Sequence, residues 1–100
     1  MSDRELLELA AKAASIPYES IWPVSSEYLD KAWNPLTDDG DALRLAVKLN
    51  IEISPDPFHD SVYCEPKNNP ESTITVEALD AFGVRRAIVR AAAEIGRAMP

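Results

Sequence analysis

Apolar positions recur along this chain with two different periods. The eight prolines, at 17, 23, 35, 55, 57, 66, 70 and 100, break helix interiors and leave three proline-free windows, 1–16, 36–54 and 71–99. Each window carries a helical pattern. In the first, Ser2 followed three residues on by Glu5 is a capping-box start, and the helix runs through Ala14 or Ser15 before Pro17 ends it. Leu6, Leu7, Leu9, Ala10, Ala11, Ala13 and Ala14 fill an arc of roughly 200°, wide enough to touch two neighbours. A second helix opens at Thr37 or Asp38 and reaches about Leu49, with Ala42, Leu43, Leu45, Ala46, Val47 and Leu49 on so broad a face that it should be the most buried. A third begins near Leu79 or Asp80 and ends at Ala98. It sets Val84, Ala87, Ile88, Ala91, Ala92, Ile95 and Met99 on one side and Arg86, Arg90 and Arg97 almost opposite Ile88. Gly83 and Gly96 each cost about 1 kcal/mol relative to alanine in a helix interior, which predicts fraying near both ends.

Between the second and third helices the period falls to two. Ile51 and Ile53 flank Glu52, Val62 and Cys64 alternate with Tyr63 and Glu65, and Ile74 and Val76 alternate with Thr73, Thr75 and Glu77. Three short strands follow, joined by the stiff Ser54-Pro55-Asp56-Pro57 and the turn-forming Pro66-Lys67-Asn68-Asn69-Pro70, which favours an antiparallel meander. Its apolar face needs a helical cover. Residues 17–36, holding Tyr18, Trp22, Tyr28 and Trp33, have no clear period and could add one or two irregular strands. The expected fold is α+β: a single domain over 1–100, with three helices packed on a small, mainly antiparallel sheet of three or more strands.

Composition narrows the function. With 10 Lys+Arg against 17 Asp+Glu the net charge is −7, which disfavours direct nucleic-acid binding. The charge is divided: from Asp80 onward Arg85, Arg86, Arg90 and Arg97 outnumber Asp80 and Glu94 by two, leaving −9 on residues 1–79. No apolar run approaches a membrane span, and Met-Ser-Asp-Arg-Glu-Leu reads as a charged helix start rather than a secretion signal, so a cytoplasmic location is expected. Cys64 and His59 are the sole residues of their kinds, too few for an internal disulfide or the usual zinc frameworks.

Three blocks resemble the phage ABA-sandwich domain family, a group of small phage and prophage proteins. They are Glu5 to Ala14 (ELLELAAKAA), Trp33 to Leu49 (WNPLTDDGDALRLAVKL) and Arg85 to Gly96 (RRAIVRAAAEIG). The resemblance implies a phage or prophage origin, hence the cytoplasm of a host cell, and a layered α-β-α sandwich. It carries over no catalytic residue. The outward-facing Glu52, Tyr63, Glu65, Thr73, Thr75 and Glu77 would leave one sheet face polar, a face the first helix could partly cover.

Candidate chemistry is sparse. Asp38-Asp39-Gly40-Asp41 could ligate a hard cation, but no bidentate glutamate follows at calcium-loop spacing, and helix capping explains the cluster better. His59 could act as a base with Asp60 or Ser61, although neighbours in a loop seldom converge so. Cys64 fits a buried apolar position, and Trp33 a staple against the next helix. Arg86, Arg90 and Arg97 could hold a phosphate, a nucleotide or an acidic partner, against the alternative of a solvated helix face with an Arg90–Glu94 pair. Trp22 is the aromatic best placed to anchor a partner. No catalytic, metal or cofactor site assembles. The expectation is therefore a non-enzymatic accessory module that binds or inhibits a host or phage protein. The alternatives are a binder of small anionic ligands, as a single chain or an oligomer, and a nucleic-acid mimic.

Overall fold

A computed structural model describes residues 1–21, 32–68 and 73–100. Helix α1 (Asp3–Ala14) begins where the Ser2 hydroxyl accepts from the Glu5 N–H at 3.2 Å, and it ends in a left-handed Ser15 whose N–H turns back to Ala11 and Lys12. A single turn, α2 (Tyr18–Ile21), stands where the sequence suggests irregular strand. Trp22 and Tyr28 lie outside the described residues. After Trp33, which packs on the core edge, the Asn34 N–H donates to Asp41 and the Asn34 side chain accepts from Leu36. This brace sets the start of α3 (Asp39–Lys48), capped by Asp38.

Strand β1 (Ile51–Asp56), a 3-10 turn at Pro57–His59, β2 (Ser61–Pro66) and β3 (Thr75–Ala78) form an antiparallel meander in the order β1-β2-β3. Two residues later Asp80 caps α4 (Ala81–Ala98). The class is α+β, as the periodicity predicts, and the Cα radius of gyration is 13.2 Å.

Three details correct the sequence reading. The most buried helix is α4, not α3. Ala87, Ile88, Val89, Ala91, Ala92 and Ala93 are buried around α4, whereas in α3 Leu43 is 59% and Val47 74% exposed. Small side chains let α4 be approached from several sides at once: it packs against all three strands, α3 and α1. Because α1 docks on α4 rather than on the sheet, α4 lies between the sheet and α1 among the described residues, and the α+β layers are ordered sheet, α4, α1.

Second, β3 faces the other way. The register pairs Cys64 with Thr75 and Tyr63 with Val76, so Thr75 points to the helices while Val76, like Ile74, is exposed. Burying a hydroxyl requires a partner, and Thr75 Oγ1 donates to the Ala87 carbonyl at 2.8 Å. Third, Gly83 and Gly96 are close-approach sites rather than weak points. A Cβ on Gly83 would lie 1.9 Å from the Ala78 oxygen, and one on Gly96 would lie 2.0 Å from the Leu9 oxygen.

Candidate functional site

Two surface hollows gather side chains from distant parts of the chain. The first is a groove of about 370 Å³ between α3, α4 and β1. Its α3 wall is Asp39, Ala42 and Leu43; its α4 wall is Ala81, Val84, Arg85 and Ile88; Ile53 comes from β1. The lining is mainly apolar: six of its eight residues are aliphatic, and Asp39 and Arg85 are the two charged ones. Leu43 stands exposed at the lip, Val47 continues the strip one turn along α3, and exposed Phe82 follows Ala81.

One ion pair guards the groove. Arg85 donates from Nε to the Leu36 carbonyl at 2.8 Å and from Nη1 to Asp39 at 2.7 Å, tying α4 to the loop before α3. The pair is asymmetric: the arginine side chain is 19% exposed and the aspartate 82%. Cation and anion cancel, but the carboxylate is what a visitor meets.

The aspartate cluster at this end resolves into separate structural tasks. Asp38 Oδ2 accepts from the Asp41 N–H at 2.7 Å, Asp41 holds Arg44 at 2.8 Å and the Asn34 N–H at 2.9 Å, and Asp39 holds Arg85. Among the described residues, no three His, Cys, Asp or Glu side chains converge as a metal-binding group.

The second hollow, about 300 Å³, brings together Arg86, Arg90 and Arg97 with Glu77, Glu94, Met1 and Leu6. The arginine stripe thus lines a cleft rather than a solvated face. Each guanidinium already holds a carboxylate, however. Arg86 meets Asp3 at 2.9 Å, Arg90 meets Glu77 at 2.6 Å, and Arg97 meets Glu94 at 3.4 Å. The Arg90–Glu94 pair read from helical spacing is replaced by the cross-element pair with Glu77, because β3 runs beside α4 and offers the Val76 carbonyl as well. Three carboxylates balance three guanidiniums, so the cleft is polar but not strongly electropositive.

His59 sits at the tip of the β1–β2 hairpin. Its orienting group is Asp56, with Oδ2 at 2.7 Å from Nδ1, rather than Asp60 or Ser61. Ser61 Oγ donates to the His59 carbonyl, not to the ring. The imidazole lies outside both hollows, with Phe58 edge-on to it. Cys64 is fully buried on β2, and desolvation pushes its thiol up to about 11, which suits a packing role and not a nucleophile.

Sequence reasoning singles out the three arginines and misses Arg85, Leu43 and Phe82. Helical periodicity places Leu43 on a buried face, although a ten-residue helix with apolar positions around so wide an arc cannot bury all of them. No helix among the described residues is long and apolar enough to cross a membrane. Set against protein-family models, curated proteins and solved structures, the chain matches none.

Proposed function

We propose that this chain is a non-enzymatic protein-binding module, an accessory protein of phage or prophage origin as its family resemblance implies, acting on a host or phage protein in the host cytoplasm. The observation that supports it is the α3–α4–β1 groove, mainly apolar inside and edged by the exposed Leu43. Contiguous apolar surface of this kind, rimmed by polar groups, is what protein interfaces use for their buried centre. The test is affinity capture from host lysate with the wild-type chain and with Leu43→Glu, a substitution at an exposed position. A stoichiometric partner retained by the first and lost by the second is expected. A partner indifferent to Leu43→Glu would count against the groove, and none at all would count against the module.

A second reading takes Arg86, Arg90 and Arg97 as a site for a small anionic ligand, and their convergence in one cleft favours it. The carboxylate on each arginine opposes it, since an incoming phosphate must displace Asp3, Glu77 or Glu94. A thermal-shift screen with nucleotides and phosphorylated metabolites decides the matter. A ligand at 100 times its Kd stabilises by about 2.7 kcal/mol, and an unmoved midpoint across the panel removes this reading.

A further inference from the structure

Resting on the protein-binding reading, we infer that the groove takes a basic amphipathic segment, one whose apolar side chains enter between α3 and α4 while lysines or arginines meet the rim. The inference comes from the sign of the charge around an apolar slot. At the α3 wall the Asp39–Arg85 pair turns its carboxylate outward and its guanidinium inward. Beside it Asp38 is shared with Arg44 at 3.8 Å, leaving the side chain 58% exposed.

At the α4 wall Asp80 caps the helix just before Ala81, which lines the slot. The hairpin tip comes to the same end, because the Leu79 N–H donates to the Asp60 carbonyl at 3.2 Å. That tip brings the exposed Asp60 and Phe58, the latter 91% exposed, beside the start of α4. Both helices point their N-termini here, and those termini are occupied by the protein's own aspartates. The carboxylates therefore do two things: they satisfy the helix dipoles locally and leave this end of the apolar slot net acidic, with Asp38, Asp39, Asp60 and Asp80 against Arg44 and Arg85.

A partner with acidic flanks would bury its apolar anchor equally well but would set like charges against this end, which costs specificity and association rate, and a neutral one would gain nothing from it. A basic amphipathic helix or strand matches both parts of the surface, in the manner of helix-in-groove recognition. The net charge of −7 adds long-range steering of the same sign.

The test is selection from a random peptide library on the immobilised full chain, with counter-selection on Leu43→Glu and separately on Ala81→Glu. Both substitutions fall at exposed positions, and each variant is checked for a wild-type thermal transition. The expected result is enrichment of peptides that combine leucine, phenylalanine or tryptophan with lysine or arginine and that lose binding to both variants. Their association should slow by about tenfold or more from low to high salt, and Asp39→Asn should reduce that salt dependence. Groove-dependent peptides without basic enrichment, or with salt-insensitive association, would overturn this inference and leave the protein-binding reading standing. An absence of groove-dependent peptides would overturn both. A dimer in sedimentation that Leu43→Glu dissociates would assign the groove to a second copy and likewise overturn the basic partner.

Discussion

Thr75 and Val76 occupy adjacent positions on β3 with roles opposite to their polarity. Thr75 is buried with its hydroxyl on the Ala87 carbonyl, and Val76 lies on the open face opposite Tyr63. Replacing Thr75 by valine keeps the shape and removes the donor, so a loss of about 1 kcal/mol is expected. Val76→Thr should stay within about 0.5 kcal/mol, as surface changes do. Urea denaturation of the two variants checks this, and the reverse ranking would show that β3 has its pattern-predicted face inward. Next to Thr75 in register, Cys64 gives a pH-dependent prediction. In the unfolded chain its thiol ionises near its ordinary value of about 9, but in the fold only near 11. Above pH 9 the unfolded state thus binds fewer protons, and stability falls as pH rises. This contribution is intact below pH 9 and lost by pH 11, and it amounts to about 2 to 3 kcal/mol over that window. Wild type should lose that much more than Cys64→Ala between the two pH values. Parallel pH profiles would contradict the burial-raised thiol.

At the scale of elements, local signals and tertiary crowding part company. Ser2, Asp38 and Asp80 each cap a helix within a residue or two of where the sequence puts its start, because a cap is a contact between residues three apart. The two glycines of α4 cannot be read that way. Local propensity marks Gly96 as a defect, whereas its missing Cβ is what allows the Leu9 carbonyl of α1 to cross there. Gly96→Ala should therefore destabilise by about 1 to 3 kcal/mol through overpacking, against the roughly 1 kcal/mol gain that helix propensity alone would give. Gly83→Ala should do the same against the Ala78 carbonyl at the two-residue link from β3. Chemical denaturation measures both, and stabilisation by either would mean that the backbones can separate without cost. The same division explains what is legible of the candidate site. Arg86, Arg90 and Arg97 stand out through helical spacing and do share a cleft, but their partners Asp3 and Glu77 come from other elements and have no mark in the local pattern. The groove is hidden more completely, since Leu43, Ile53, Ala81 and Ile88 meet only after α3, β1 and α4 are placed.

Across the whole molecule, the division between an acidic body and a basic C-terminal helix closes on itself. Arg85, Arg86 and Arg90 reach Asp39, Asp3 and Glu77, so three of the four C-terminal arginines join α4 to α3, α1 and β3 respectively. These pairs are partly exposed, and each contributes at most modestly to stability; their value lies in register, fixing which side of α4 each neighbour takes. Apolar burial stabilises the packing more strongly. Helix α1 buries Leu6, Leu7, Ala10, Ala11 and Ala14, which at 1.5 to 3 kcal/mol for a leucine and about 0.8 per buried methyl comes to about 5 to 8 kcal/mol. A domain of this size has about 5 to 15 kcal/mol in total. Since α4 is the element between α1 and the sheet, removing α1 also uncovers Gly96 and the alanines of α4 that α1 covers. Deleting residues 1–15 should therefore abolish cooperative folding rather than shorten a stable domain. The remaining chain is expected to bind the dye ANS, lose its near-ultraviolet circular dichroism and melt without a sharp transition, with helical signal partly retained. A cooperative transition in that fragment would show that the sheet, α3 and α4 make a sufficient core without α1, and α1 would then be a cover that can leave.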